Sequence, residues 1–383
     1  MQWQYASEKR KIQDPLTGRE MWQLTAGAAR NVHLYFTENS FTAGRPEIYF
    51  LSDRETPGAD NIFRMDLHSG AMERLTAFEH PDTLRALTKD RQSRRLLYWR
   101  GPEVVLMDTA TRRETVLHTL EDGFTRGRLS LSCDGATVAI QCNEDVSVEH
   151  GLNYAGFAEK MVRVKRSRIL TVPADASAKA RVVFRDTAEG GHLQFSPVDP
   201  DLLMFCHEGP WHLVLQRIFL LDRRSGEVWP CFRQDVQDSV GHEFFAQNGD
   251  IFFDNRGPGH DGTITSDLTQ AVAQEEAAGD FVPYVGYAGA DGRVKATIPM
   301  PHYLNHYHAD STRMRLVGDG VREIALIDMT QEPPAMTTLC GHKTSWYGQH
   351  THCHPTWAWD DSAILYASDE TGSVQLYLVE MEP

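Results

Sequence analysis

Short apolar runs rich in Ile, Tyr, Phe, Leu and Val recur along the whole chain, and turns containing Gly, Asp or Pro separate them. Runs of this kind are typical of β-strands bounded by turn residues. Almost no stretch shows the 3.6-residue period that an amphipathic helix requires. The pattern therefore predicts a protein that is nearly all β.

One unit of this pattern is clearest from Gly44 onward, where the chain reads GRPEIYFLSDRETPGADNIFRMDLHSGAMERLT. It predicts a strand around Ile48 to Leu51, a second around Asn61 to Leu67, and a third that ends at Leu75-Thr76 after a Ser-Gly turn. The unit recurs at about 50 residues, which is within the range of propeller blades.

The signature of the unit is an apolar strand that ends in Asp just before a turn. The same signature returns at Asp108, Asp222 and Asp328, in the runs VVLMDTATRRETVLHTL, RIFLLDRRSGEVWPCF and IALIDMTQEPPAMTTL. Weaker copies read RILTVPADASAKARVVF and YVGYAGADGRVKATI. Together with the first copy, these runs predict six internal units.

The two ends of the chain supply complementary parts of a seventh unit. The C-terminal run QLYLVEMEP follows a strand pair but lacks the last strand, whereas the N-terminal run DPLTGREMWQLT matches the segment 66–76, DLHSGAMERLT. Pairing Trp22-Thr25 beside Gln375-Val379 would close a ring and remove its open edges. We therefore expect residues 1–383 to form a single seven-bladed β-propeller domain. A β-sandwich pair or an open solenoid does not predict complementary half-blades.

Composition narrows the possible partners. Hydrophobic residues make up 41% and charged residues 24%, which is ordinary for a globular protein. The formal net charge of −15 argues against a nucleic-acid binder. An acidic small ligand stays possible, because a local group of arginines and a metal can reverse the field inside one cleft.

The sequence also predicts a compartment. No export signal or membrane-spanning run is apparent, and the six cysteines are widely scattered. We interpret the cysteines as reduced thiols and expect a cytoplasmic protein that has no membrane partner. The pattern leaves the oligomeric state open.

The run YGQHTHCHPTWAWDD concentrates candidate ligands just before an apolar strand. Residues two apart in an extended chain face the same way, so His352 and His354 can point at one metal ion. Neutral imidazole is a common ligand of divalent transition metals. Surface or stacking histidines are the alternative, but three histidines within residues 350–354 favour a metal site.

Histidines occupy equivalent places in the two preceding units. The run PHYLNHYHADSTRMRLVGDG contains His302, His306 and His308, and His242 lies in GHEFFAQNGDIFFD. A packed or solvated histidine explains His242 equally well. Arg217 precedes the strand IFLLD, and a solvated arginine would be the ordinary reading of that position.

These features together resemble the oligogalacturonate lyases, a family of seven-bladed propellers. The resemblance covers essentially the whole chain and is carried by FCHEGP followed by Arg217, HEFF at His242, His306 ahead of VGDG, and the run with Gln349, His352 and His354. It implies that His306, Gln349, His352 and His354 bind Mn²⁺ or another divalent transition metal. It also implies that His242 is the general base and that Arg217 lies near the substrate carboxylate.

The implied reaction is β-elimination of short α-1,4-linked galacturonate oligosaccharides derived from pectin. Removing the C5 proton beside a carboxylate requires that charge to be neutralised, which a metal and an arginine can do. Glycoside hydrolysis would instead need two flanking carboxylic residues, and most Asp and Glu here lie in blade turns. A lyase of another uronic acid, or a non-catalytic sugar- or protein-binding propeller, is the alternative.

The chain departs from the family pattern after its first metal histidine, where HYHADSTRM replaces an Asn/Asp-Gly turn. His308 becomes a possible competing ligand there, and His350 is an additional imidazole beside the expected set. We expect His302, His308 and His350 to lie outside the metal's ligand set.

Overall fold

A computed structural model describes residues 3–148, 156–264, 279–300, 302 and 304–381. Over these ranges, thirty strands form seven antiparallel sheets, and the fold is a seven-bladed β-propeller. The predicted all-β class and the predicted number of blades are confirmed.

The first half of the chain contributes β1 (Gln4–Tyr5), β2 (Arg10–Gln13), β3 (Glu20–Gln23), β4 (Asn31–His33), β5 (Glu47–Ser52), β6 (Asn61–Asp66), β7 (Met72–Arg74), β8 (Leu84–Lys89), β9 (Arg95–Arg100), β10 (Glu103–Asp108), β11 (Glu114–Thr119), β12 (Phe124–Leu131), β13 (Thr137–Glu144), β14 (Ser167–Pro173) and β15 (Arg181–Asp186).

The second half contributes β16 (Gly190–Phe195), β17 (Leu202–His207), β18 (Ile218–Asp222), β19 (Val228–Pro230), β20 (Val240–Phe245), β21 (Ile251–Asn255), β22 (Tyr284–Ala288), β23 (Val294–Pro299), β24 (Tyr307–Ala309), β25 (Arg315–Asp319), β26 (Glu323–Asp328), β27 (Ala335–Gly341), β28 (Thr356–Trp357), β29 (Ala363–Ser368) and β30 (Gln375–Glu380).

Each blade begins at the central channel and runs outward. From inside to outside, the first blade is β4-β5-β6-β7-β1, the next five are β8 to β11, β12 to β15, β16 to β19, β20 to β23 and β24 to β27, and the seventh is β28-β29-β30-β3-β2. The first strands of neighbouring blades contact one another, as β8 does with β12 and β16 with β20. These inner strands therefore form the channel wall.

The seventh blade joins the two ends of the chain, as the split repeat predicts. Trp22 pairs with Leu378 and Gln23 with Tyr377, and the Leu24 amide donates a hydrogen bond to the Leu376 carbonyl. One detail differs from the expectation that the first and last residues share one blade. Strand β1 pairs with β7 of the first blade, so the N-terminal segment spans two blades.

The recurrent Asp has a local structural role. The Asp66 carboxylate accepts hydrogen bonds from the amide and hydroxyl of Ser69, and Asp108 accepts the same pair from Thr111. Such Asx-type bonds satisfy the backbone of a tight turn between two strands. The repeated strand-Asp signature is therefore a turn signal.

Apolar side chains fill the seams between blades. The seam at the ring closure brings Phe50 and Phe63 of the first blade against Leu365 and Leu378 of the seventh, all fully or almost fully buried. Each such side chain contributes about 1.5–3 kcal/mol of burial free energy. The closing seam is packed like the interior of an ordinary domain.

Bulges interrupt several inner strands at the same place. In β8, β12, β16 and β20 the pairing register is interrupted at a point that lies two to four residues after the first residue of the strand. Ala86, His192 and His242 lie in three of these bulges with φ of 51°, 45° and 50°. A bulge re-aims the extra side chain, and here it aims at the channel.

Helical structure is minor in the described chain: one α-helix, α1 (Phe157–Arg163), and two short 3₁₀ turns at Trp211–Leu213 and Gln349–Thr351. Within the ranges that the structure covers, no helix combines the length and apolarity that crossing a bilayer would need.

Candidate active site

A cavity of about 670 Å³ occupies one end of the channel. It is lined by the beginnings of the inner strands and by the segment before β28, and its walls include His192, Arg217, His242, Gln349 and His354. The fold thus brings residues from widely separated parts of the sequence into one space.

Three of the four predicted metal ligands form a buried group. His306, His352 and His354, hereafter the histidine cluster, each offer one ring nitrogen, and these three atoms lie within 4.8 Å of one another. His306 immediately precedes β24, and the other two lie between the second 3₁₀ turn and β28. The predicted spacing of two residues does bring His352 and His354 together.

The histidine cluster is suited to a metal ion. His352 Nδ1 and His354 Nε2 are buried nitrogens that have no hydrogen-bond partner among the residues that the structure describes, an arrangement that is costly unless a ligand occupies them. Burial, reinforced by the neighbouring histidines, lowers the pKa of His352 to about 2 and that of His354 well below its ordinary value. Both rings are therefore neutral, which is the form that binds divalent metals.

Asp319, at the end of β25, organises the cluster and was missed by the sequence interpretation. Its carboxylate accepts hydrogen bonds from His306 Nδ1 at 3.0 Å, from the His306 amide at 2.6 Å and from the His354 amide at 3.2 Å. A carboxylate behind a ligating histidine fixes its tautomer and orientation. The bond leaves Nε2 as the nitrogen of His306 that is available to a metal ion. The VGDG run was the available signal.

Aromatic rings hold the cluster from the sides. Phe36 stacks on His354 at 5.9 Å between ring centroids, Tyr35 meets the same ring edge-on at 4.8 Å, and Trp346 lies 5.3 Å from His352. These contacts restrict the rotamers of the two histidines and reduce the entropy lost on metal binding.

Gln349 and the three additional histidines lie outside this buried group. Gln349 and His350 are exposed on the 3₁₀ turn at the rim of the cavity. His302 pairs with Glu323 at the surface. His308 accepts a hydrogen bond from the Trp357 amide and lines a second cavity, of about 580 Å³, at the opposite end of the inner strands.

His242 lies in the bulge of β20, buried beside the histidine cluster. Its ring centroid is 4.6 Å from that of His306, and Trp211 packs against it edge-on at 4.9 Å. Its Nδ1 lies 3.3 Å from Asp254, a contact too long for a strong ion pair. Burial, with the charges of His306 and Arg256, lowers the pKa of His242 well below its ordinary value. The ring is neutral and can accept a proton.

Arg217 lies just before β18 and is almost fully buried between two carboxylates. Its Nε donates to Glu243 at 3.1 Å and its Nη2 to Glu208 at 3.4 Å, while Nη1 donates to the His207 carbonyl. Burial would raise the pKa of Glu243, but Arg217 and His192 hold it well below its ordinary range. Arg217 is therefore a paired charge within the cavity wall.

His192 completes this group and was not singled out from the sequence. Its Nδ1 lies 2.7 Å from Glu243 Oε1, and its Nε2 faces the Tyr35 hydroxyl at 3.4 Å. The run GHLQF matches GHEFF around His242, and this shared Gly-His pair at a strand start was the signal available. His192, Glu208, Arg217 and Glu243 are hereafter the charged cluster.

Two further arginines line the cavity. Arg126 donates to the carbonyls of Asp82 and Gly101, and Arg128 lies 4.1 Å above the Tyr35 ring. Neither forms an ion pair with a carboxylate in the described parts of the chain, in contrast to Arg217. Their positive charge is available to an acidic ligand although the protein as a whole is negative.

Comparisons with known proteins agree with this geometry. A family model described as oligogalacturonate lyase matches residues 4–254, well over half of the chain. The chain belongs to the oligogalacturonate lyase family. It is 23% identical to an oligogalacturonate lyase of Dickeya dadantii and 21% identical to an oligogalacturonide lyase of Pectobacterium atrosepticum, in each case over 96% of this chain and 95% of the relative.

Solved structures show the same propeller. A structure described as oligogalacturonate lyase in complex with manganese matches with a TM-score of 0.84 and 20% identity, over 99% of this chain and 97% of that one. An oligogalacturonate lyase of Vibrio parahaemolyticus matches with a TM-score of 0.83 and 20% identity, over 99% of this chain and 98% of that one. The predicted membership of the oligogalacturonate lyase family is confirmed.

Proposed function

We propose that this protein catalyses the metal-dependent β-elimination of short α-1,4-linked galacturonate oligosaccharides, which yields unsaturated uronates. The observation that carries the proposal is the buried histidine cluster, whose member His354 lines the same cavity as His242 and Arg217. Membership of the oligogalacturonate lyase family supports it, and a similar structure contains manganese. We place the activity in the cytoplasm, where the scattered unpaired cysteines would stay reduced.

His306, His352 and His354 would hold the ion, with Gln349 as the fourth ligand. Mn²⁺ accepts this mixture of imidazole nitrogens and an amide oxygen. The position of Gln349 at the rim, on a short turn, suits a ligand on the open side from which substrate enters. When bound, the ion would neutralise the carboxylate beside the reacting carbon and so stabilise charge that develops there.

Arg217 is our proposed partner of that carboxylate. Its contact with Glu208 is long, at 3.4 Å, and an incoming carboxylate can replace it while the bond to Glu243 keeps the guanidinium in place. Arg126 and Arg128 would bind the carboxylates of neighbouring sugar units. An oligosaccharide with one carboxylate per sugar fits this series of cations.

His242 is our proposed general base for the C5 proton. It is buried, neutral and adjacent to His306, so it lies where a substrate carboxylate at the cluster would present its neighbouring carbon. Assigning His242 as the base leaves the proposed set of metal ligands complete, since the histidine cluster forms without His242.

Ultraviolet absorbance of the C4=C5 double bond tests the proposal directly. The protein is treated with a chelator, then supplied with Mn²⁺ and oligogalacturonate, and absorbance should rise only with both present. Fully methyl-esterified oligogalacturonate is the matched control, because it lacks the free carboxylates that the arginines would bind. Intact oligogalacturonate after incubation with metal-loaded protein would rule out this substrate, and turnover of another uronate alone would assign a different one.

A further inference from the structure

The stereochemistry of the proposed substrate requires two separate proton-handling groups. In the chair form of α-linked galacturonate, the C5 hydrogen and the C4 oxygen are both axial and point to opposite faces of the ring. A base that reaches the C5 hydrogen therefore cannot also protonate the oxygen that leaves C4. This inference rests on the proposed function, in which His242 takes the C5 proton, and it asks which residue supplies the other proton.

His192 has the position for this second role. It occupies the bulge of β16, which corresponds in register to the bulge of β20 that carries His242 on the next blade. Both side chains line the same cavity, and both have left-handed backbone angles that turn them toward it. The two histidines therefore approach one ligand from neighbouring walls.

Charged side chains surround His192. Glu208 and Glu243 are two carboxylates and Arg217 is one guanidinium, so these three side chains have a formal charge of −1. Glu243 is fully buried and its Oε1 lies only 2.7 Å from His192 Nδ1, so it would balance the imidazolium that an acid at this position requires.

The contacts of His192 also orient its ring. Nδ1 is buried 2.7 Å from Glu243 Oε1, whereas Nε2 lies 3.4 Å from the Tyr35 hydroxyl and 3.9 Å from Glu208 Oε1, so Nε2 is the ring nitrogen on the side of the cavity. His242, by contrast, has only a long contact with a carboxyl group that Arg256 shares. Two histidines in equivalent bulges thus have different surroundings, one beside two carboxylates and the other beside the histidine cluster, which is the arrangement expected of an acid and a base.

We propose that His192 is the catalytic acid that protonates the leaving glycosidic oxygen. His242 removes the C5 proton, and the C5–H electron pair forms the C4=C5 bond. The C4–O bond breaks with its electron pair on oxygen, which takes the proton from His192 Nε2. The reaction leaves His242 protonated and His192 neutral, and exchange with water restores both.

The variant His192→Asn tests this role with little disturbance. Asn tolerates the left-handed backbone of this position, and its amide can still donate to Glu243. Two substrates are compared: digalacturonate, whose sugar oxygen needs a proton to leave, and 4-O-(4-nitrophenyl)galacturonate, whose nitrophenolate leaves without one. Turnover of digalacturonate should fall on the order of 10²–10⁴-fold, the usual contribution of an acid, whereas nitrophenolate release should stay within a few-fold of wild type.

His242→Ala is the matched control, since removal of the C5 proton is common to both substrates, and it should lose turnover of both. Manganese content and thermal unfolding confirm that each variant is folded, and His192→Gln replaces the Asn variant if that one does not fold. An equal fall on both substrates, or wild-type turnover of digalacturonate, would overturn the acid role of His192. Wild-type protein that is folded, metal-loaded and inactive on both substrates would instead refute the proposed lyase function.

Discussion

The two sides of the cavity handle charge in opposite ways. Blades six and seven present the histidine cluster, three imidazole rings of which two belong to residues that a single carboxylate, Asp319, holds from behind. Blades four and five present the charged cluster, in which two carboxylates surround Arg217 and His192. One side would gain a positive charge when a metal binds, whereas the other already contains ion pairs between side chains of opposite charge.

The same backbone feature serves both sides. Several inner strands carry a residue with positive φ near their start, such as His192 in β16, His242 in β20 and, just before β28, His354. The difference arises one layer behind, where Asp319 supports the histidine cluster through backbone amides and Glu243 supports the charged cluster through an arginine. A repeat fold can thus build distinct chemistry by changing the residues that stand behind equivalent positions.

Of all the substitutions considered, removal of a histidine from the histidine cluster should have the largest effect on activity. His352→Ala should lose bound manganese and reduce turnover by at least about 10³-fold, because the Lewis-acid contribution of several kcal/mol disappears. Metal analysis and steady-state kinetics on the purified variant measure both. His302→Ala, whose ring pairs with Glu323 at the surface, is the matched control and should keep metal and activity. Wild-type metal content in His352→Ala would place the site elsewhere.

On the charged side, the largest effect should be on stability. Glu243→Gln removes a fully buried carboxylate from Arg217 and His192 and should lower the free energy of unfolding by about 3–5 kcal/mol at pH 7. Because the pKa of Glu243 is lowered in the folded protein, its stabilising effect is complete above the unfolded pKa of about 4.3 and decreases as the pH falls below that value. Denaturant unfolding at several pH values measures this difference, and a pH-independent gap would argue against a charged Glu243.

Weakening the carboxylate that supports the histidine cluster should have a smaller effect than removing one of its histidines. Asp319→Asn keeps the size of the side chain but weakens its hold on His306 Nδ1, and should reduce manganese affinity by about 10–100-fold. Turnover should recover at high manganese concentration, since the ligands themselves are intact. A metal titration followed by activity distinguishes this result from a direct catalytic defect, in which added metal would restore nothing.

The weakest predicted effect concerns a cation outside both clusters. Arg128→Ala removes a positive charge that forms no ion pair with a carboxylate in the described chain. We expect KM to rise by about tenfold, which corresponds to the loss of one ionic contact of about 1.4 kcal/mol. The value of kcat should be nearly unchanged. Kinetics on oligogalacturonates of increasing length should show the largest KM change for the longer substrates. A fall in kcat at constant KM would place Arg128 at the reacting sugar.

The propeller could be predicted from the sequence because its signals are local and repeated. Strand-Asp-turn units follow from the hydrogen bonds that Asp66 and Asp108 make to residues three positions on. The pairing of Trp22 with Leu378 could be inferred because each end of the chain carries the part of a blade that the other lacks. His352 and His354 could be paired by their spacing alone.

The charged cluster was harder to predict because its contacts join separate blades. Nothing near Arg217 in the sequence indicates Glu243, which lies 26 positions later on the next inner strand. His192 reads as part of an ordinary strand, since the bulge that turns it inward is a feature of strand pairing. The position of Gln349 was equally hard to predict from the sequence. Its exposure at the rim of the cavity depends on a 3₁₀ turn that the run of residues around it does not indicate. Its role as a ligand stays a prediction.

The closing blade has a consequence for how the chain reaches its native state during synthesis. Residues 22 and 378 must pair, so six blades can be translated before the ring has any means of closing. Until β30 is made, the edge of β3 that will pair with it stays open. An open strand edge can pair with strands of other chains. The cluster residues His352 and His354 belong to the same late segment. A newly made chain therefore acquires its closed ring and its histidine cluster in the same final step.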